Sequence, residues 1–220
     1  MRTDYAGQWD FTRLEPGGRA IELARPADPD RLLDDPGVLE WNRRDDYMPY
    51  WAYLWPGTFL LADKVAAAGD WGGAEALEIG CGLGLAGLTA MACGARVTFT
   101  DYDEAPFPFI RASVERMGLD PSRCECRTMD WREPPDETFP TILAADVLYE
   151  HRLVPLVVGV IRKMLAADGV AWISGPYRVA TLDLEPLLDA ARLRHEATPA
   201  ASIDDRGRPV RGTIHRVWKA

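Results

Sequence analysis

Ala74-Glu-Ala-Leu-Glu-Ile-Gly-Cys-Gly-Leu-Gly-Leu-Ala-Gly-Leu88 decides the fold. It reads as a short apolar strand, a glycine-rich turn and then a helix of small residues. Glu78 stands two residues before the first glycine, and glycines follow at 80, 82 and 84. Glycine has no Cβ and takes positive φ, so such a turn brings the backbone close to a ligand. The helix behind it aims free N–H groups and the positive end of its dipole at the same place.

Two ligand classes use a turn of this kind, and spacing helps to separate them. The dinucleotide fingerprint requires Gly-x-Gly-x-x-Gly. Counted from Gly80, its third position falls on Leu85. Counted from Gly82 it is met through Gly87, but only by setting aside Gly80 and the acid. The acid-x-Gly-x-Gly-x-Gly form, Glu78 to Gly84, resembles motif I of the class I S-adenosylmethionine-dependent methyltransferases. A glycine turn alone is a weak signal, so the rest of the chain has to decide.

Downstream, residues 95–100 form a strand ending at Asp101, beside Tyr102. Asp101 lies 17 residues beyond Gly84, near where an acid reaches the ribose hydroxyls of a nucleotide. A plain turn within Asp101-Tyr-Asp-Glu-Ala-Pro106 is the weaker alternative. A helix within 104–117 stops at Gly118. The strand 123–129 ends in Asp130-Trp131: either an acid and an indole for an adenine, or a polar loop with a surface Trp. The apolar run 141–145 reads as a buried parallel strand. It delivers Ala145 and Asp146-Val-Leu-Tyr149 to the carboxyl edge, where open α/β sheets bind ligands. A helix cap is the weaker account of Asp146.

An amphipathic helix over 152–166, a strand over 170–174, the loop Gly175-Pro-Tyr-Arg178 and a helix over 180–192 continue the alternation. The tail, 194–203 and 212–218, reads as two strands joined around Asp204-Asp-Arg-Gly-Arg-Pro209. The expected fold is α/β: a Rossmann-like class I methyltransferase sheet, seven-stranded and mostly parallel, helices on both faces and a C-terminal antiparallel hairpin.

Upstream, residues 1–48 read as a polar extension with a β-hairpin around Pro16-Gly-Gly18, and residues 49–220 as the main domain. Asp30 is expected to cap a short helix through Leu33, and Arg43-Arg-Asp-Asp46 to be solvated. Pro49-Tyr-Trp-Ala-Tyr-Leu-Trp-Pro-Gly57 packs four aromatics into six residues. They form either a core plug or an aromatic wall beside a ligand cation or purine. Thr58 is expected to cap a helix to about residue 68, with Leu61 and Val65 buried.

The chain has 220 residues and a net charge of −9. One domain with a sizeable core is expected, and broad binding of duplex nucleic acid is not. No apolar run at Met1-Arg-Thr-Asp-Tyr5 suggests a signal, and none elsewhere is long enough for a membrane span. Cys81, Cys93, Cys124 and Cys126 read as free thiols in a reducing cytoplasm, with no metal site.

Several stretches together resemble the family 16 seven-β-strand methyltransferases over roughly residues 45–218. They are Tyr50-Trp-Ala-Tyr-Leu-Trp-Pro-Gly57, Leu77-Glu-Ile-Gly-Cys-Gly-Leu-Gly-Leu-Ala-Gly87, Asp101, Asp130-Trp131 and Ala145-Asp-Val-Leu-Tyr149. That family includes protein-lysine methyltransferases and a related arginine-directed branch. Its bacterial members are often described as nicotinamide N-methyltransferase-like. The resemblance implies S-adenosylmethionine as cofactor, held by Trp55, Glu78, Gly80, Cys81, Gly82, Gly84, Asp101, Tyr102, Asp130, Trp131 and Ala145. It puts Asp146 and Tyr149, an Asp-x-x-Tyr element, beside the acceptor. The implied activity is N-methylation of a protein side chain, lysine ahead of arginine. A small-molecule N- or O-methyltransferase comes second, and a NAD-type Rossmann enzyme or non-catalytic nucleotide binder third.

Overall fold

The computed structural model describes residues 5, 7–45, 47–177 and 179–220. Expectations on Met1–Asp4, Asp46 and Arg178 lie outside the described residues. The strands are β1 (Trp9–Leu14), β2 (Ile21–Pro26), β3 (Glu75–Ile79), β4 (Arg96–Asp101), β5 (Cys124–Thr128), β6 (Phe139–Ala145), β7 (Leu165–Gly175), β8 (Leu193–Ile203) and β9 (Pro209–Lys219). The α-helices are α1 (Pro36–Asp45), α2 (Pro56–Ala67), α3 (Leu85–Ala92), α4 (Phe107–Arg116), α5 (Val154–Met164) and α6 (Leu184–Ala190).

Seven strands make one sheet in the order β5-β4-β3-β6-β7-β9-β8. The first five are parallel; β9 runs antiparallel to β7, and β8 antiparallel to β9. The expected sheet and closing hairpin are therefore present. The order turns back between β3 and β6, which makes that gap the switch point where such sheets receive ligands. The central strands are apolar because both faces are covered: Ile142, Leu143 and Ala144 are fully buried.

On one face α2, α3 and α4 share a core with the β1–β2 hairpin, including Leu61, Leu85, Phe109 and Ile21. On the other, α5 and α6 supply Val157, Ile161, Leu184 and Leu188. The hairpin expected near the N-terminus is present, and its inner strand is part of the main core rather than a polar appendage. The Ala24 N–H donates to Ser113 Oγ of α4, and the Gly17 N–H to Asp63 Oδ1 of α2, each at 2.8 Å.

Other local expectations shift. Helix α1 was not anticipated, although its start signal is plain afterwards: Asp35 Oδ1 accepts the N–H groups of Gly37 and Val38, with Pro36 at the first position. Thr58 caps nothing. Helix α2 begins at Pro56 with Trp55 at its cap position and no side-chain cap there. Asp30 lies inside the short 3-10 helix Pro29–Asp34, and its carboxylate accepts the Tyr53 hydroxyl at 2.8 Å instead. Strand β7 begins at Leu165, five residues early, with a register shift opposite Phe139 and Thr141. Among the described residues no helix is long and apolar enough to cross a membrane.

Candidate active site

The residues picked out in the sequence gather at one sheet edge, because each follows the carboxyl end of a parallel strand. The glycine turn leaves β3; Asp101 ends β4; Asp130 and Trp131 follow β5; Ala145 ends β6. Gly80, Gly82 and Gly84 take φ of 58°, 48° and 75°, which other residues rarely adopt. Space matters as well. A Cβ on Gly80 would lie 2.9 Å from the Trp131 ring, and one on Gly82 would lie 3.3 Å from the Trp51 carbonyl oxygen. Trp131 therefore packs across the glycine turn.

Glu78 is buried and its Oε2 accepts the Gly87 N–H at 2.9 Å. Its Oε1 has no hydrogen-bond partner. Burial pushes this carboxyl up to about 8, against the Gly87 hydrogen bond, so it is largely protonated at neutral pH. Gly87, the third glycine of the alternative register, serves packing. A Cβ there would meet the Phe99 ring at 2.4 Å and Glu78 Oε2 at 2.5 Å.

Asp101 closes the turn from the next strand. Its two oxygens accept the N–H groups of Gly82 at 2.9 Å and Asp103 at 3.1 Å. Burial pushes it up to about 6, with those backbone N–H groups pulling the other way. A carboxylate has about four acceptor positions, so Asp101 retains acceptor capacity for a ligand hydroxyl. Cys81 is buried, and its N–H donates to the Thr100 carbonyl at 2.9 Å, which fixes the turn to β4. Tyr102 is exposed at the rim, where the Arg132 guanidinium stands over its ring.

Asp130 is held by Arg132, which donates to both its oxygens through Nε and Nη2. Those hydrogen bonds keep Asp130 below the usual carboxylate range. Arg132 did not stand out in the sequence, nor did Asp103. Asp103 is 2% exposed and accepts the Tyr47 hydroxyl and the Ala105 N–H. The contact folds the segment before the aromatic stretch onto the loop after β4. A second acid two residues after Asp101 was the available signal.

On the other side of the switch point, Asp146 follows β6 with φ of 56°. It is buried, and its Oδ2 accepts the Gly57 N–H at 2.7 Å at the start of α2. The Asp146 N–H donates to the Ser174 carbonyl, and Ser174 Oγ donates to the Gly57 carbonyl, both at 2.7 Å. The cap account, weighed lower in the sequence, describes what this carboxylate contacts. Tyr149 is 39% exposed and meets Tyr50 edge-on at 5.4 Å; Tyr50 in turn meets Trp55 edge-on at 5.6 Å. Trp55 Nε1 donates to the Tyr50 carbonyl at 2.9 Å. The aromatic stretch thus divides its work: Trp51 is buried core, while Tyr50 and Trp55 form a ledge with Tyr149.

The sheet order and the site at its switch point define the Rossmann-like class I methyltransferase fold. The solved structure of a TehB-like SAM-dependent methyltransferase from Corynebacterium glutamicum superposes with TM-score 0.56 at 17% identity, covering 88% of this chain and 100% of that one. The family profile described as lysine methyltransferase matches residues 54–180, and the chain belongs to that family. Among curated relatives, protein-lysine N-methyltransferase rrg1 of Schizosaccharomyces pombe is 28% identical over 60% of this chain and 50% of its own length. Histidine protein methyltransferase 1 homolog of Dictyostelium discoideum is 29% identical over 67% of this chain and 48% of its own length. The chain spans about half the length of these relatives.

Proposed function

We propose that this protein is an S-adenosylmethionine-dependent protein N-methyltransferase acting on lysine. The carrying observation is the shape of the carboxyl edge: a glycine cradle flanked by buried acids on one side of the switch point, and an open ledge of Tyr50, Trp55 and Tyr149 on the other. Residues 49–220 are the methyltransferase domain, and residues 1–48 an extension whose strand β2 packs into its core.

The cradle fits S-adenosylmethionine. Gly80, Gly82 and Gly84 hold the turn at positive φ, Asp101 keeps acceptor capacity for ribose hydroxyls, and the orphaned Glu78 Oε1 suits a polar group of the methionine moiety. Cys81 belongs to the same turn, and Ala145, Tyr102, Asp130 and Trp131 end or follow the neighbouring strands, so they complete the proposed cofactor site. When bound, the cofactor supplies an electrophilic methyl group on a good leaving group. The protein mainly positions the reactants and excludes water.

A lysine ammonium has no lone pair, so it must lose a proton before it can accept a methyl. Tyr149 presents a neutral hydroxyl for orienting the amine: burial and the nearby Asp101 and Glu150 charges push it up to about 12. Asp146 anchors the same loop through its bond to the Gly57 N–H. The cavity adjoining Asp146 measures about 10 Å3, too small for an organic acceptor. With Tyr50 and Tyr149 both more than a third exposed, this favours a side chain offered from a protein surface over an enclosed small molecule. The net charge of −9 suits a basic protein partner. A reducing cytoplasm suits the free thiols.

Calorimetric titration with S-adenosylmethionine tests the cofactor. Micromolar binding is the expected result, and binding of NAD instead would overturn it. Tritiated methyl transfer into a lysate of the source cell, followed by mass spectrometry, is expected to label lysine. Label found only in small molecules would exclude a protein acceptor.

A further inference from the structure

His215 on β9 is 5% exposed, and neither ring nitrogen has a hydrogen-bond partner. Buried polar side chains are bonded in the large majority of cases, so an imidazole with both nitrogens orphaned calls for a partner of another kind. Its ring borders the cavity of about 10 Å3 between the ends of β6, β7 and β9, with Asp146, Ser174, Thr181 and Thr213 on the other walls. That volume is about the size of one water, and a water needs two to four polar partners. Candidates among the lining residues are the imidazole, Thr181, Thr213 and Asp146, whereas the Ser174 hydroxyl already donates to the Gly57 carbonyl.

The place matters. His215 pairs with Ile173 across the β7–β9 ladder, next to Ser174. Ser174 is one corner of the three-way junction with Asp146 and Gly57. Burial lowers the imidazole's proton affinity, with Glu185 of α6 and His195 of β8 acting in opposite senses. The ring is thus neutral near pH 7, offering one donor and one acceptor.

We propose that this cavity is a buried water site and that His215 is a positioning residue for methyl transfer. The water it holds braces the Asp146–Ser174–Gly57 junction and so fixes the loop that carries Tyr149. The water site stands on geometry alone; the catalytic part rests on the methyltransferase function proposed above.

A crystal structure at a resolution that shows ordered solvent tests the site directly. One water within hydrogen-bond distance of His215 and of Asp146, Thr181 or Thr213 is expected, and a cavity without density overturns it. Two variants test the role. His215→Gln retains a donor and an acceptor, whereas His215→Phe fills the space without either. At saturating S-adenosylmethionine, with lysate as acceptor, His215→Phe is expected to slow tritiated methyl transfer about tenfold by misplacing the loop. Its cofactor affinity, measured by calorimetry, is expected to stay unchanged, and His215→Gln to restore most of the rate. Wild-type rates in His215→Phe, or an equal loss in both variants, overturn the positioning role. If the wild type binds no S-adenosylmethionine, the proposed function and His215's part in it both fall, while the solvent density still decides the water site.

Discussion

The Asp146 carboxylate accepts the Gly57 N–H at 2.7 Å, joining residues 89 positions apart in the chain. The bond ties the loop after β6 to the first turn of α2, and through Ser174 to the end of β7. The loop carrying Tyr149 and the helix following Trp55 are therefore one mechanical unit.

Asp146→Ala removes a buried, charge-assisted hydrogen bond worth about 1.5–3 kcal/mol and places Ala at positive φ. We expect a lower Tm and no methyl transfer, with S-adenosylmethionine affinity within a few fold. Asp146→Asn tolerates the same φ and still accepts the Gly57 N–H, so its Tm is expected to stay close to wild type. Thermal unfolding of both variants separates structural from chemical loss. Retained turnover in Asp146→Ala would remove this residue from the acceptor site.

Gly57→Ala tests the same junction from the helix side. The added Cβ would lie 2.9 Å from both Asp146 N and Ser174 O, closer than real Cβ atoms come. A loss of about 1–3 kcal/mol is expected from such overpacking, together with slower methyl transfer. Denaturant unfolding that matches wild type would show that the three strand and helix ends can part without cost.

Gly80→Arg and Asp101→Ala are expected to lose S-adenosylmethionine binding while far-ultraviolet circular dichroism stays native. In Gly80→Arg the side chain starts at positive φ against the Trp131 ring. In Asp101→Ala the Gly82 and Asp103 N–H groups lose their acceptor. Unchanged calorimetric affinity in both variants would mean that the cofactor lies elsewhere.

Glu78 gives the protein a pH dependence of definite sign. Its carboxyl titrates near 4.5 in the unfolded chain and at about 8 in the folded one. Between those values the folded state holds a proton that the unfolded state has released, so stability falls as pH rises. Asp101, raised from 3.8 to about 6, acts in the same direction at lower pH. Glu78→Gln retains an acceptor for Gly87 and removes the Glu78 part. Its Tm, measured without cofactor, is expected to equal wild type near about pH 4.5 and to exceed it increasingly toward about pH 8, by about 2–4 °C per kcal/mol. Parallel Tm curves would show that Glu78 is ionised in the fold.

Tyr149→Phe removes only a hydroxyl from a half-exposed ring. Cofactor affinity and Tm are expected to hold, while the methyl transfer rate falls. An undiminished rate would leave the Asp-x-x-Tyr element without a role for its last residue.

Much of this was legible in the chain. The run Glu75–Ile79 followed by glycines, the apolar stretch Phe139–Ala145 and the closing pair β8–β9 are local patterns, and each forms close to where it was expected. The strands of a parallel sheet all point the same way, so acids at their ends had to meet at one edge. Contacts set by docking rather than by period were not legible. Nothing near Asp146 in sequence indicates that it binds Gly57, and Arg132 gives no periodic signal. The hairpin strand Ile21–Pro26 looked half polar because its core partners, α3 and α4, lie far along the chain.

The sequence by itself determined the parallel sheet, the glycine turn and the set of acids, because hydrophobic period and glycine's conformational freedom act within a few residues. Only the tertiary structure decided what those acids touch. Glu78 holds the helix behind the turn, Asp101 the turn itself, Asp130 its neighbour Arg132, and Asp146 the start of α2. A buried carboxylate takes whichever N–H groups the packing brings within reach. That choice is made by elements distant in the chain, so it appears only once they have docked.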